Sequence, residues 1–219
     1  MRTNEPDLWD QLQIRPDHDL NVGVMVTSLD GIAAVDGQVG SLTGTADQRL
    51  LLGVRERALA VVVGASTVRA EGYGSLLPAA AQQRRAAAGL SAQPELVVVS
   101  HTADGVEGTE AADADDLDLW VEQPPPTPDG SPDLRAVSAS IRRRRGHGLA
   151  AWEGGPTLLR MALAQGVIDE LFLAFSPVLA GPGVPLAGPE TSGIERMRLI
   201  DAAASEDFVF LRYGLRDGA

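Results

Sequence analysis

Two short runs, "LAVVVG" at 59–64 and "ELVVV" within "PELVVVS" at 94–100, most narrow what this chain can become. Each is rich in β-branched residues, too short for a helix, and without the polar alternation of a half-wet strand. A strand of that kind is buried on both faces, as in a parallel sheet covered by helices above and below. The requirement reaches beyond the runs, because parallel neighbours need a crossover connection, usually helical, between them.

The rest of the chain supplies such connections. "DLNVGVMVTSLDG" from Asp19 reads as a strand closing in a turn at Ser28-Leu29-Asp30-Gly31. "TADQRLLLGVRERA" predicts a helix starting near Thr45 or Asp47, with Leu50, Leu51, Val54 and Ala58 spaced for one face. Further helices are predicted in "PAAAQQRRAAAGL", "LRAVSASIRRRRG" and "PTLLRMALAQG", and further strands in "LDLWVE", "LAAWE" and "DELFLAFSPVLA". "MRLIDAAASEDFVFLRYGL" predicts a terminal antiparallel hairpin. The acidic stretch from Ala103 to Asp118 and the proline-rich "QPPPTPDGSPD" read as surface loops. The pattern gives an α/β/α sandwich on a mostly parallel sheet with antiparallel C-terminal strands: one domain from 19 to 219 behind an N-terminal extension, 1–18.

Composition removes several functions. The chain has 219 residues and no cysteine, so disulfides, thiolate zinc sites and cysteine nucleophiles are excluded. All 18 basic residues are arginine, which rules out Schiff-base and P-loop lysines. A formal charge of -12 disfavours nucleic-acid binding. No apolar run is long enough for a membrane span, and a cytoplasmic location with no membrane partner is expected. His18, His101 and His147 lack metal-ligand spacing, so no metal is expected.

In such a sheet, ligands bind beyond the carboxyl ends of the strands. Four marked sequences fall there: Ser28 to Gly31, Gly64 to Gly74, Ser100 with His101, and Glu153 to Thr157. Together they predict a cleft, although no G-x-G-x-x-G fingerprint is present. Gly154-Gly155 suit either a tight strand-to-helix turn or a close approach to a ligand, and the helix start behind them is a ready anion site. Glu153, at the end of a buried strand, must be paired or used. Asp30 before glycine fits a turn residue or a substrate-facing acid, and the residues alone favour the turn. Arg55 has a solvated arginine as its plain alternative, which Arg57 beside it fits better, and Arg142 to Arg145 fit the solvated end of a helix better than a phosphate site.

The ordered motifs S-L-D-G, G-x-x-T-V-R-A-E, E-G-G-P-T-L, D-E-L and S-P-x-L-A-G resemble the pyrimidine reductase family of riboflavin biosynthesis. The resemblance runs from about Asn21 to Tyr213 and is weaker across the acidic and proline-rich middle. It implies a dihydrofolate-reductase-like fold, NADPH-dependent hydride transfer to a small molecule, and a homodimer through the C-terminal strands. By this resemblance Val26, Gly64, Thr67, Glu71, Ser100, Gly155, Pro156, Thr157 and Leu158 contact the cofactor. Asp30, Arg55 and Glu153 contact the substrate, with Asp30 orienting it or relaying the proton. The chain departs from the family at Glu71 to Pro78, where proline replaces an arginine that grips a substrate phosphate. The "RAEGYG" variant resembles a stand-alone actinobacterial-type branch. Two substrate readings stay open, a ribosylaminopyrimidine and a dihydrofolate-like pterin, beside a protein that binds NADP(H) without turnover.

Overall fold

The structure is a computed structural model describing residues 18–188 and 196–215. The N-terminal extension lies, apart from His18, outside the described residues. The strands are β1 (Leu20–Thr27), β2 (Ile32–Ala34), β3 (Ala58–Gly64), β4 (Glu95–Val99), β5 (Leu119–Glu122), β6 (Leu149–Trp152), β7 (Glu170–Phe175), β8 (Val184–Pro185), β9 (Met197–Ser205) and β10 (Phe208–Leu215). The helices are α1 (Thr45–Arg57), α2 (Ala65–Glu71), α3 (Ala79–Ala87), α4 (Glu110–Asp113), α5 (Leu134–Arg145) and α6 (Pro156–Ala164).

Eight strands form one sheet in the order β5-β4-β3-β6-β1-β7-β10-β9, and β2 pairs with β8 in a separate ribbon. The six strands from β5 to β7 are parallel, and β10 and β9 close the sheet as an antiparallel hairpin. The predicted alternation of strand and helix and the antiparallel tail are therefore present.

Period-two alternation divides the core into two layers. Val22, Val24, Val61, Val63, Leu96, Val98, Ala151 and Phe172 pack on one face with Leu50 and Val54 of α1 and Val68 of α2. Met25, Val62, Val97, Trp152 and Leu173 pack on the other, with Val137 and Ile141 of α5 and Leu159 and Ala162 of α6. Both faces are dry, as the unbroken apolar runs require.

The structure corrects the sequence expectations at two places. The acidic segment is not wholly a surface loop: it carries α4, and Val106, Ala111 and Leu117 are buried in the core. Three apolar side chains among many acids suffice to dock it. The arginines at the end of α5 are not simply solvated. Arg142 donates to the Gly148 carbonyl, and Arg144 bonds buried Glu95 at 2.7 Å while lying 4.3 Å over the Trp120 ring. Arg145 reaches Ser91 at 3.1 Å. Successive positions point in different directions: Arg142 and Arg144 find acceptors at strand starts, and Arg145 finds one in the segment before β4.

Arg85 of α3, 1% exposed, donates to the carbonyls of Arg55, Glu56 and Ala58 at 3.2, 2.8 and 2.7 Å, and to Ser91 at 2.8 Å. It thus satisfies carbonyls that the end of α1 leaves orphaned. Replacing it by methionine keeps much of the bulk and strands those acceptors. Urea titration of Arg85→Met is expected to show a loss of about 2–4 kcal/mol.

Candidate active site

The carboxyl ends of the parallel strands form a rim, and the rim opens because β6 stops early. β1 pairs with β6 only as far as Gly23, opposite Trp152, but pairs with β7 as far as Thr27. The Leu20 N–H faces β6, bonding the Gly148 carbonyl, while the Asn21 and Thr27 carbonyls face β7. By that alternation the peptide groups of Val24 and Val26 face the side that β6 has left. Glu153, Gly154 and Gly155 turn the chain into α6 there. A side chain on Gly154 would run into Leu158, so this turn needs glycine for close approach.

A cavity of about 270 Å³ occupies this opening, walled by Met25, Val26, Asp47, Leu51, Arg55, Thr67, the loop from Glu71 to Leu76, and Glu153 to Gly155. Gly72, at φ 65°, ends α2 in the left-handed conformation and turns the loop over the cavity. Val39 N–H donates to Glu71 Oε1 at 3.1 Å, tying the segment before α1 to the end of α2.

Arg55 and Glu153, 98 positions apart, are bound to each other in the cavity wall. Arg55 Nη2 lies 2.7 Å from Oε2, and Nε lies 3.0 Å from both carboxylate oxygens. The two side chains are 13% and 3% exposed. Burial opposes the charge on Arg55, but the facing carboxylate outweighs it and drives the guanidinium's pKa up. Arg55 also reaches the Leu76 carbonyl at 3.3 Å and lies 5.6 Å from the Tyr73 ring. Burial, aided by the Glu153 carboxylate, pushes the Tyr73 phenol well above its ordinary value, so it stays neutral.

A second cavity, of about 320 Å³, lies across the wall formed by α2 and the start of α6. Gly64, Ala65, Ser66, Arg69, Ser100, His101, Thr157 and Leu158 line it. Neither helix start has a side-chain cap, and Pro156 occupies the first turn of α6, where its missing N–H costs nothing. The amides of Thr157 and Leu158 are left in that first turn, before the first bonded amide, Leu159, which donates to Gly155. The Gly155 N–H donates to Thr67 Oγ1 at 3.1 Å and joins the two helix starts.

The rim therefore gathers most of the expected residues, divided between two chambers. Val26, Arg55, Thr67, Glu71, Glu153 and Gly155 line the first, and Gly64, Ser100, Thr157 and Leu158 the second. Pro156 shapes the helix start without lining either. Asp30 is exposed and lines neither chamber. Its carboxylate accepts from Ser28 Oγ at 2.5 Å and from the amides of Ala180 and Gly181 at 3.0 and 2.8 Å. Those donors, Ser28 first, hold its pKa down to about 2. Among the described residues no cluster of acids and histidines has the makings of a metal site, and no helix is long and apolar enough to cross a membrane.

Three residues escaped the sequence reading. Arg69 stands inside the recognised T-V-R-A motif and brings a guanidinium beside Ser100 and His101. Tyr73 lies in the variant loop. Asp47 was visible only as a helix-start acid, yet Asp47, Leu51 and Arg55 recur every fourth residue and form the stripe of α1 that faces the first chamber. Asp47 is 7% exposed, and burial pushes it up to about 6.

In overall shape the chain resembles dihydrofolate reductase of Enterococcus faecalis (TM-score 0.54, 8% identity, covering 93% of this chain and 100% of that one), which places the fold in that α/β class. The family model described as the RibD C-terminal domain matches residues 22–207, and the chain belongs to that family. A pyrimidine reductase-like protein of Corynebacterium diphtheriae matches with TM-score 0.78 and 26% identity over 91% of this chain and 93% of its own. RibD of Acinetobacter baumannii matches with TM-score 0.68 and 20% identity over 91% of this chain, which spans only 59% of that longer protein. No curated protein sequence is similar enough to register as a relative.

The buried charge on Asp47 has a thermodynamic consequence. Its unfolded form titrates near 3.8 and its folded form near 6, so stability falls as pH rises between those values and stays lowered above them. Asp47→Asn removes that penalty. Thermal and urea unfolding at alkaline pH is expected to show a gain of up to about 3 kcal/mol, shrinking toward nothing at the acid end.

Proposed function

We propose that the chain is an NADPH-dependent reductase that transfers a hydride to a C=N bond of a pyrimidine-type substrate, as in the riboflavin-pathway reduction of 5-amino-6-(5-phosphoribosylamino)uracil. The observation carrying this reading is the convergence of two uncapped helix starts on the second chamber, separated by one wall from the first chamber with its buried charged pair. Family membership points the same way.

The residues fit such a cofactor. The free amides at the start of α6, with those of α2 beside them, suit a pyrophosphate. Arg69, Ser100 and His101 suit a ribose 2′-phosphate, and the Val26 peptide, Thr67 and Gly155 form the edge nearest the substrate chamber. When bound, NADPH supplies the hydride from its nicotinamide C4. The chain's own contribution is to hold the acceptor carbon against that edge, exclude water, and bind the substrate through the Arg55–Glu153 pair. As the carbon receives the hydride, the C=N electron pair moves to nitrogen, which takes a proton from solvent. Asp30 is a positioning residue that latches the end of β1 to the loop after β7.

The test follows NADPH absorbance with the ribosylaminopyrimidine and, separately, with dihydrofolate. Oxidation that depends on either substrate supports the reading, and tight NADPH binding with no oxidation across both overturns it. Arg69→Ala is expected to weaken NADPH binding about tenfold and NADH binding less than twofold, measured by calorimetry.

A homodimer through the C-terminal strands belongs to the same proposal. β9 leaves one edge without a strand partner among the described residues, and Leu199 on it is 51% exposed. An edge strand with unpaired backbone groups and an exposed apolar side chain is a template for pairing with another chain. Light scattering is expected to show a dimer that Leu199→Lys converts to monomer.

A further inference from the structure

A further cavity, of about 330 Å³, lies at the opposite end of the sheet from the rim, where the ends of α1 and α3 meet the starts of β3 and β6. Its volume reaches the range of small-molecule sites, about 300–1,000 Å³. Glu56 and Arg57 of α1 and Arg84 and Arg85 of α3 form a charged wall, and Leu59 and Leu149 an apolar one. With His147 counted neutral, three guanidinium groups stand against one carboxylate, an excess of two positive charges on a chain of formal charge -12. The one acid is already engaged: Arg84 holds Glu56 through Nε and Nη2, both at 2.7 Å. Basic side chains near a helix end ordinarily answer its carbonyls, and Arg85 does so for α1 through Nη1. Its Nη2 is left over, buried and without a hydrogen-bond partner on a side chain only 1% exposed. A buried N–H with no acceptor costs free energy. Burial first, then the like charge of Arg145, pulls the Arg85 pKa down to about 10, so the charged form is disfavoured where it stands.

We propose that this cavity is an anion site, separate from the rim, that takes a phosphate group. A phosphate monoester carries a charge close to two at neutral pH and three strong acceptor oxygens, which match both the excess charge of the wall and its three guanidinium groups. It supplies the acceptor that Arg85 lacks. A carboxylate brings one charge and two oxygens, and leaves the wall unbalanced. The apolar wall suits a small body esterified to the phosphate. None of the residues that line this cavity lines either chamber of the rim, so the site stands apart from the reductase reading.

The experiment is calorimetric titration of the full chain at neutral pH with phenyl phosphate, inorganic phosphate and benzoate. Phenyl phosphate is expected to bind at least about tenfold more tightly than benzoate. Binding tighter than that of inorganic phosphate identifies an ester as the occupant, and equal binding identifies free phosphate; either result supports the site. Arg57→Gln combined with Arg84→Gln is expected to weaken phenyl phosphate at least about tenfold. Arg69→Ala, which takes the guanidinium from the second chamber, is expected to change that affinity less than about twofold. Arg85 is left in place because its loss costs stability. Glu56→Gln removes the one acid and is expected to tighten binding about threefold, a gain that a misfolded variant does not produce. No saturable binding, benzoate binding as tightly as phenyl phosphate, or binding lost in Arg69→Ala and kept in the double variant overturns the proposal.

Discussion

The contact between Arg55 and Glu153 joins the two halves of the rim. It ties α1, on one side of the opening, to the point where β6 becomes α6, with both charges almost out of water. Removing one partner from such a pair leaves the other as an uncompensated buried charge, which is why breaking it is far more damaging than the net worth of the pair suggests. The Leu76 carbonyl and the Tyr73 ring gather on the same guanidinium, so the loop after α2 takes its place from it too. Strand end, helix and covering loop meet at one planar group.

The pair also revises how the site is built. Sequence resemblance assigns Arg55 and Glu153 to the substrate as separate contacts. Bound to one another, they present a nearly neutral surface that still offers lone pairs and N–H edges. A further carboxylate, Asp47, lies about two turns back along the same stripe of α1.

Much of the fold was legible because burial on both faces of a sheet writes itself into composition: "LAVVVG" and "ELVVV" admit few other structures. The hairpin of β9 and β10 was equally plain from its apolar alternation around Glu206 and Asp207. α2 was not, because seven residues of small and polar type carry no apolar stripe, and only the left-handed Gly72 marks its end. The site was half legible. Glycines and helix starts at strand ends announced the rim, but a partnership spanning 98 positions leaves no local signal. Asp47 was hidden for a related reason: a first-turn acid is ordinarily a helix-dipole contact, and only tertiary packing decides whether it faces water or a cavity. Asp30, for which the residues alone favoured the turn over the substrate, is held in a turn.

The arginines that end α5 give the opposite edge of the sheet a different character from the rim. Arg142, Arg144 and Arg145 fasten the starts of β1, β4 and β6 and the segment before β4, and a guanidinium keeps its charge far beyond the pH at which an ammonium would lose it. In a chain without lysine, the fastening at that end is indifferent to alkali. The molecule is thus a clasp riveted by guanidinium groups at one end of its sheet and cleft at the other.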